Sequence, residues 1–319
     1  MDRHVDIFLG GVGFPLPVFF PSVSSIKTNF PAVDYVQLLV AAGISQFLVS
    51  AYDVAKCSEK EQLAFAIDSA IEERTVILLD SGNYESYWLR DLEWTQTQFH
   101  EVLKSQMWPV AFSFDVICGP SKSNELCAKE IADSCLEDQS FHPSCSLLPI
   151  VHGASENLPT LCRAVASFLN PLAVAVPERE LGDGILARVA TVRQIRRGLN
   201  RLGAYYPLHL LGTGNPCSIL LYTAAGADMF DGLEWCQTVA DPKSALLLHF
   251  QQRELLSEQL VSAEIQSYDE TTLVHNLVFY KTWMRDLQNA LASKSLTHCI
   301  RERLPPPIAS QVERILDEH

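Results

Sequence analysis

The sequence predicts an α/β chain folded as a (β/α)8 TIM barrel with C-terminal helices. Eight short apolar runs recur along it, and amphipathic stretches of helical period separate most of them. The chain has 319 residues, which exceeds the usual barrel length of about 250 by about 70. A doubly wound open sheet competes, but no G-x-G-x-x-G follows the first run.

The elements follow in order. Residues 1–16, with Gly10, Gly11, Gly13 and Pro15, are expected to cover one end of the fold. The first run is 17–21 (PVFFP), followed by 46–52 (QFLVSAY), 76–80 (VILLD), 110–116 (VAFSFDV), 147–151 (LLPIV), 172–176 (LAVAV), 208–211 (LHLL) and 227–230 (ADMF). Each is short and bounded by Gly, Ser, Pro or a charge, as strands buried on both faces should be. Helical patterns cover 32–42, 59–72, 123–136, 157–169, 186–202 and 218–225. Further on, Leu273, Leu277, Tyr280, Met284, Leu287 and Leu291 recur every three or four positions, the stripe of an amphipathic helix that packs on the barrel. The same stripe is compatible with a homo-oligomer. Pro305, Pro306 and Pro307 precede a short terminal helix.

A hydrophobic content of 48% with 19% charged residues suffices for one large core, and residues 1–319 read as a single domain with a helical part from about 241 to 319. The formal net charge of −14 argues against a broad basic surface, though a local basic groove would survive it. Nine scattered cysteines, without a C-x-x-C pair, read as a reduced set with no disulfide framework, which points to a cytoplasmic location. Asp2, Arg3, His4 and Asp6 precede any apolar run, so no secretory signal is legible. The uncharged window 35–52 contains Gln37, Ser45 and Gln46 and a Gly43-Ile44-Ser45 turn, so no membrane span is expected.

In a barrel the chemistry sits at the C-terminal ends of the strands. Those ends carry Ser50, Asp80-Ser81-Gly82, Asp115, His152-Gly153, Glu178, Gly212-Thr213-Gly214-Asn215 and Asp231. Alone, each has an ordinary structural reading: a turn with an N-cap for Asp80, a satisfied loop histidine for His152, a tight turn for Gly212. Convergence on one mouth gives them another. Two carboxylates across a pocket can do glycosyl chemistry, one attacking an anomeric carbon and the other managing the leaving group's proton. A third can read donor groups on a ring, since an ionised carboxylate only accepts hydrogen bonds. No H-x-x-H or H-x-H pattern accompanies them, so a metal is not expected.

Four segments resemble the queuine/tRNA-guanine transglycosylase superfamily, barrel enzymes that exchange guanine in a nucleic acid for a 7-deazaguanine base. Residues 17–21 resemble its first strand. Leu79-Asp80-Ser81-Gly82-Asn83-Tyr84 resembles its D-S-G-G-[YF] motif, and residues 226–231 (GADMFD) its G-[IA]-D-M-F-D motif. His275-Asn276-Leu277 with Tyr280 resembles its H-N-L-x-x-Y helix. The resemblance implies Asp231 as nucleophile and Asp80 as general acid/base. It implies Asp115, Ser81, Tyr84, His152, Gly153, Glu178 and Gly212 around the bound base, with Asp115 on the base edge and Tyr84 stacked on the ring.

The departures are informative. V-H-G at His152 replaces V-Q-G, Ser50 replaces an asparagine, and residues 176–182 (VPERELG) replace a G-L-A-V-G-E-G loop. Leu233-Glu234-Trp235 follows Asp231 where the family has a basic P-T-R. The C-x-C-x-x-C zinc motif is missing, and only 44 positions separate Asp231 from His275. Loss of that lobe, with the acidic charge, makes the chain more similar to the branch that modifies DNA. The expected partners are DNA, or tRNA, and a free 7-deazaguanine base. A tRNA enzyme of the same chemistry without zinc and a non-catalytic partner subunit of such an enzyme are the alternatives; partner proteins of a modification system are compatible with either, and no membrane, cofactor or zinc is expected. Trp88, Trp94 and Arg90 follow the Asp80 motif and are candidates to touch an extruded strand, with core packing the expected role for at least one tryptophan.

Overall fold

The computed structural model describes residues 6–119, 121–256 and 267–317; Asp2, Arg3 and His4 lie outside them. Twelve strands are described: β1 (Asp6–Leu9), β2 (Val12–Pro15), β3 (Val18–Val23), β4 (Gln46–Ser50), β5 (Val76–Asp80), β6 (Val110–Phe112), β7 (Ser146–Leu148), β8 (Val174–Pro177), β9 (Leu208–Leu211), β10 (Met229–Gly232), β11 (Thr238–Ala240) and β12 (Leu247–His249). Strands β3 to β10 form one sheet in the order β7-β6-β5-β4-β3-β10-β9-β8, and every pairing is parallel. Just past β7, a bridge between Ile150 and Ala175 joins the two ends. Val151 N–H donates to Ala175 O at 2.8 Å, and Ala175 N–H to Pro149 O at 2.9 Å. The sheet is thus a (β/α)8 barrel, as the eight apolar runs predict.

Alternation along the strands divides the core in two. Val18, Phe20, Leu48, Leu78, Val110, Phe112, Leu148, Ala175 and Met229 fill the barrel interior. Phe19, Phe47, Val49, Ile77, Leu79, Ala111, Leu147, Val174, Val176 and Phe230 belong to the layer between sheet and helices. Period-two alternation therefore carries the interior face onward to Ser22, Ser50, Asp80 and Asp231. The β1–β2 hairpin supplies Ile7, Leu9 and Phe14 to the interior cluster, so the first residues do close one end.

Boundaries move where local chemistry overrides the apolar pattern. The run 46–52 splits, because the chain turns from β4 straight into a helix at Ala51–Lys56. The helix expected from 218 starts at Pro216. Asn215 caps it by accepting from the Cys217 and Ser218 N–H groups at 3.0 and 3.2 Å, and proline at the first turn loses no needed donor. The helices Asn83–Leu89, Gln96–Ser105 and Leu296–Arg303 were not evident from periodicity. One cysteine expectation is corrected: Cys118 and Cys127 form a disulfide, and the other seven are free. Their nine-residue separation matches no spacing signal, and only the fold-back of the loop after β6 onto the helix Asn124–Phe141 joins them.

The amphipathic C-terminal helix spans Tyr268–Ala292 and ties down the chain around β10. Asn276 donates to Trp235 O and Thr238 O, both at 2.7 Å, and accepts from Ala240 N–H at 3.0 Å. Tyr280 donates to Gly214 O at 2.6 Å and stacks on Phe19 with ring centroids 4.7 Å apart. Below the mouth, Asp228 is fully buried. It takes Arg196 Nη2 at 2.5 Å, Tyr205 O–H at 2.7 Å and Leu208 N–H at 2.9 Å. Arg196 also donates to Gly226 O and Tyr206 O, both at 2.8 Å, so this ion pair fixes the entry of β10.

Replacing Arg196 by Met would leave the buried Asp228 charge uncompensated. The variant should lose about 3–5 kcal/mol of stability. Urea denaturation checks this, and a loss under about 1 kcal/mol would show that the pair is not holding the strand.

Candidate active site

A cavity of about 860 Å³ opens at the C-terminal ends of the strands. Asp80, Glu85, Asp115, His152, Asp231 and Glu234 are among its lining residues. Asp231, near the end of β10, is 6% exposed. Its Oδ1 accepts from His209 Nε2 at 2.8 Å and from Gly212 N–H at 3.3 Å, while its Oδ2 accepts from Ser22 Oγ at 3.1 Å. Three hydrogen bonds thus hold the carboxylate.

Asp80 ends β5 in register with Ser50 on β4. Burial, followed by the charges of Glu85, Asp115 and Asp231, pushes its carboxyl well above the usual range. Gly82 N–H donates to it at 3.2 Å. Gly82 sits at φ +82°, and a Cβ there would lie 2.6 Å from Tyr52 N, so the turn that presents Asp80 requires glycine. Asp80 therefore keeps its proton at pH values where an ordinary aspartate has lost it.

Asp115 is arranged the opposite way. Burial would raise it, but hydrogen bonds from His152, Ser81 and Asn83 outweigh that and hold it below the usual range. Ser81 donates to Oδ2 at 2.7 Å, Asn83 donates to the same oxygen, and His152 Nε2 meets Oδ1 at 2.6 Å. The other nitrogen of His152 bonds Glu180 at 2.6 Å. Burial works to lower the His152 imidazole, yet the two carboxylates raise it to about 9. It is an imidazolium clamped between acids.

Other expected residues divide. Tyr84 is 39% exposed and lines the cavity, as does Gly212. Gly153 donates its N–H to Glu180 at 2.8 Å. Glu178 turns aside to Tyr222 O–H at 2.9 Å and Arg188 at 3.0 Å, while Pro177 and Arg179 line the cavity. One turn of 3-10 helix, Glu178–Glu180, causes the exchange and brings Glu180 to His152. Trp94 is buried and donates to Ser81 O at 3.0 Å, so it is a core residue. Trp88 is 47% exposed with Lys27 Nζ 3.9 Å from its ring centroid, and Arg90 lines the mouth.

Four residues of the site were missed. Glu85 accepts from Ser24 at 2.5 Å and Ser50 at 2.6 Å, and burial with the charge of Asp53 raises it. Glu234 is raised to about 7, chiefly by burial. Its Oε2 would be 2.1 Å from a Cβ at Gly214 and 2.4 Å from one at Gly232, so both glycines make room for it. Glu180 and His209 complete the set. His209 alone had a usable signal, since alternation on β9 places it inward between two outward leucines.

Among the described residues no group of three His, Cys, Asp or Glu side chains could hold a metal ion. His275, which the family resemblance puts at a zinc site, is buried with Nε2 2.9 Å from Ala240 O. The described residues do not fit zinc. Nor is any described helix long and apolar enough to cross a membrane.

Fold and site together define a barrel whose mouth sets a hydrogen-bonded carboxylate, Asp231, in one cavity with a carboxyl pushed well above the usual range, Asp80. No family model matches the chain. It is similar, at 21% identity over 320 residues, to a tRNA-guanine(15) transglycosylase of Methanothermobacter thermautotrophicus (strain Delta H). The match covers 90% of this chain but 46% of that protein, so the chain spans about half the length of its curated relative.

The clamp predicts a pH dependence. His152 is raised from 6.5 to about 9, so its contribution to stability is complete below pH 6.5 and is lost as pH rises through 9. Wild type should lose stability over that window relative to His152→Gln in urea denaturation. Equal slopes for the two proteins would mean that His152 is not charged in the folded state.

Proposed function

We propose that the chain is a nucleic-acid guanine transglycosylase. It exchanges guanine for a free 7-deazaguanine base, in DNA rather than tRNA, through a covalent aspartyl-glycosyl intermediate. One observation carries the reading: the Asp231 carboxylate, held by His209, the Gly212 N–H and Ser22, shares a cavity with Asp80, whose carboxyl is pushed well above the usual range. That is the pair a two-step displacement at an anomeric carbon needs.

In the first step an Asp231 oxygen bonds C1′ while the bond from C1′ to the guanine nitrogen breaks. The electron pair leaves with the base, and the Asp80 proton goes to it. In the second step the incoming base attacks C1′, the ester bond breaks with its pair returning to Asp231, and the incoming base's proton passes to Asp80. Asp115 accepts from donors on the base edge, ordered by Ser81, Asn83 and His152. Tyr84 stacks on the ring, and Gly212 with the His152–Gly153 turn bounds the pocket. Glu178 serves through Arg188 and Tyr222, outside direct contact.

A base inside a duplex cannot enter such a cavity, so the target is extruded or single-stranded. Tyr87 and Arg90 line the cavity, and exposed Trp88 lies edge-on to Tyr84 and Tyr87; together they suit stacking and phosphate contact beside it. The absent zinc-motif cysteines support DNA over folded tRNA. The relative's name favours tRNA and makes that the second reading.

Protein incubated with labelled 7-deazaguanine and either DNA or tRNA should transfer label to DNA. Asp231→Asn should form no covalent adduct on denaturing electrophoresis, and Asp80→Asn should lose about 10²–10⁴-fold in exchange rate. Label in tRNA alone would select the second reading. An adduct retained by Asp231→Asn would remove the nucleophile assignment. Wild type inert on both polymers until a second protein is added would indicate a partner subunit.

A further inference from the structure

His209 lies on β9, in register with Met229, with 0% exposure. Its ring is walled by Phe112, at 4.9 Å between centroids and edge-on, and by Phe20 at 6.1 Å. The surrounding barrel interior is aliphatic and aromatic. A polar ring in such a layer is costly unless its polar atoms are bonded. Only one is bonded here. Nε2 meets Asp231 Oδ1 at 2.8 Å, while Nδ1 is buried with no hydrogen-bond partner among the described residues. A carboxylate oxygen is an acceptor, so His209 donates from Nε2, and Nδ1 is left against the apolar wall.

The donors on Asp231 are unequal. Oδ1 takes two N–H groups fixed by the strand β9 and the turn after it. Oδ2 takes a single serine hydroxyl at 3.1 Å, which can rotate away. We propose that His209 is a positioning residue that commits Oδ1 and so leaves Oδ2 as the attacking oxygen. This rests on the transglycosylase reading above. It adds a consequence that packing alone would not have. When Oδ2 bonds C1′, charge drains from the carboxylate and the His209 bond weakens. When the ester bond breaks, its electron pair returns to the carboxylate and the bond strengthens. His209 therefore stabilises Asp231 as a leaving group and favours the second step over the first.

The test separates the two steps. His209→Leu fills a similar volume without a donor, and His209→Gln keeps an amide N–H near the same place. Each is mixed with single-stranded DNA, quenched at intervals for the covalent adduct, then chased with free guanine. His209→Leu should accumulate adduct, with the chase slowed about 10–100-fold, the scale of one hydrogen bond to a charged group. Adduct formation should change less, and His209→Gln should chase within a few-fold of wild type. Thermal melts of the variants accompany the kinetics, because a merely structural defect would slow both steps together and would not be rescued by Gln.

A chase by His209→Leu at the wild-type rate, or equal losses in both steps, overturns the positioning role while leaving the nucleophile in place. Wild type that forms no adduct with DNA or tRNA overturns the transglycosylase reading, and this inference with it.

Discussion

The carboxylates at the barrel mouth repel one another, and the surrounding structure keeps them together. Asp80, Glu85, Asp115, Asp231 and Glu234 all line one cavity. Removing that many negative charges from water without compensation would cost more than a domain's whole stability. The compensation is different at each group. Asp80 retains its proton. Asp115 is matched by the His152 imidazolium and two side-chain donors. Among the described residues Asp231 is held by an imidazole N–H, a backbone N–H and a hydroxyl. The same crowding that destabilises the mouth thus leaves its members in three different settings: Asp80 raised, Asp115 lowered and Asp231 held by three hydrogen bonds.

That sorting depends on positions held by the scaffold. Parallel register places Asp80 level with Ser50, and Asp231 one interior layer above the Met229–His209 pair. The Asp228–Arg196 pair anchors the start of β10, and Asn276 and Tyr280 clamp the segments on either side of its end. These bonds run mostly from side chain to backbone. They fix where the main chain goes, and the mouth follows.

The protein's overall charge and its site act over different distances. Screening at physiological ionic strength limits an exposed charge to about 8 Å. A net charge of −14 therefore opposes a broad polyanion contact, while Arg90, Arg179 and Lys27 near the mouth act locally. Exposed Tyr87 and Trp88 lie edge-on to one another beside them.

Much of this was legible in the chain itself. Eight apolar runs with turn-forming ends indicate parallel strands buried on both faces, and their number and the missing G-x-G-x-x-G favour a barrel over a doubly wound sheet. Period-two alternation then brings Asp80 and Asp231 inward. The sequence by itself determined the architecture, the acidic mouth and the convergence of Asp80, Asp115, His152 and Asp231. Only the tertiary structure decided which neighbours serve them. A single 3-10 turn after Pro177 sends Glu178 to Arg188 and Glu180 to His152, and periodicity cannot see a turn of three residues. Glu85 lies on a helix too short to show a period, and Glu234 enters only because Gly214 and Gly232 lack side chains. Cys118 and Cys127 meet through a loop, without any spacing rule. Direction along a strand is local and repeats every two residues. Partnership across the barrel depends on the closure of the sheet, which no local pattern contains.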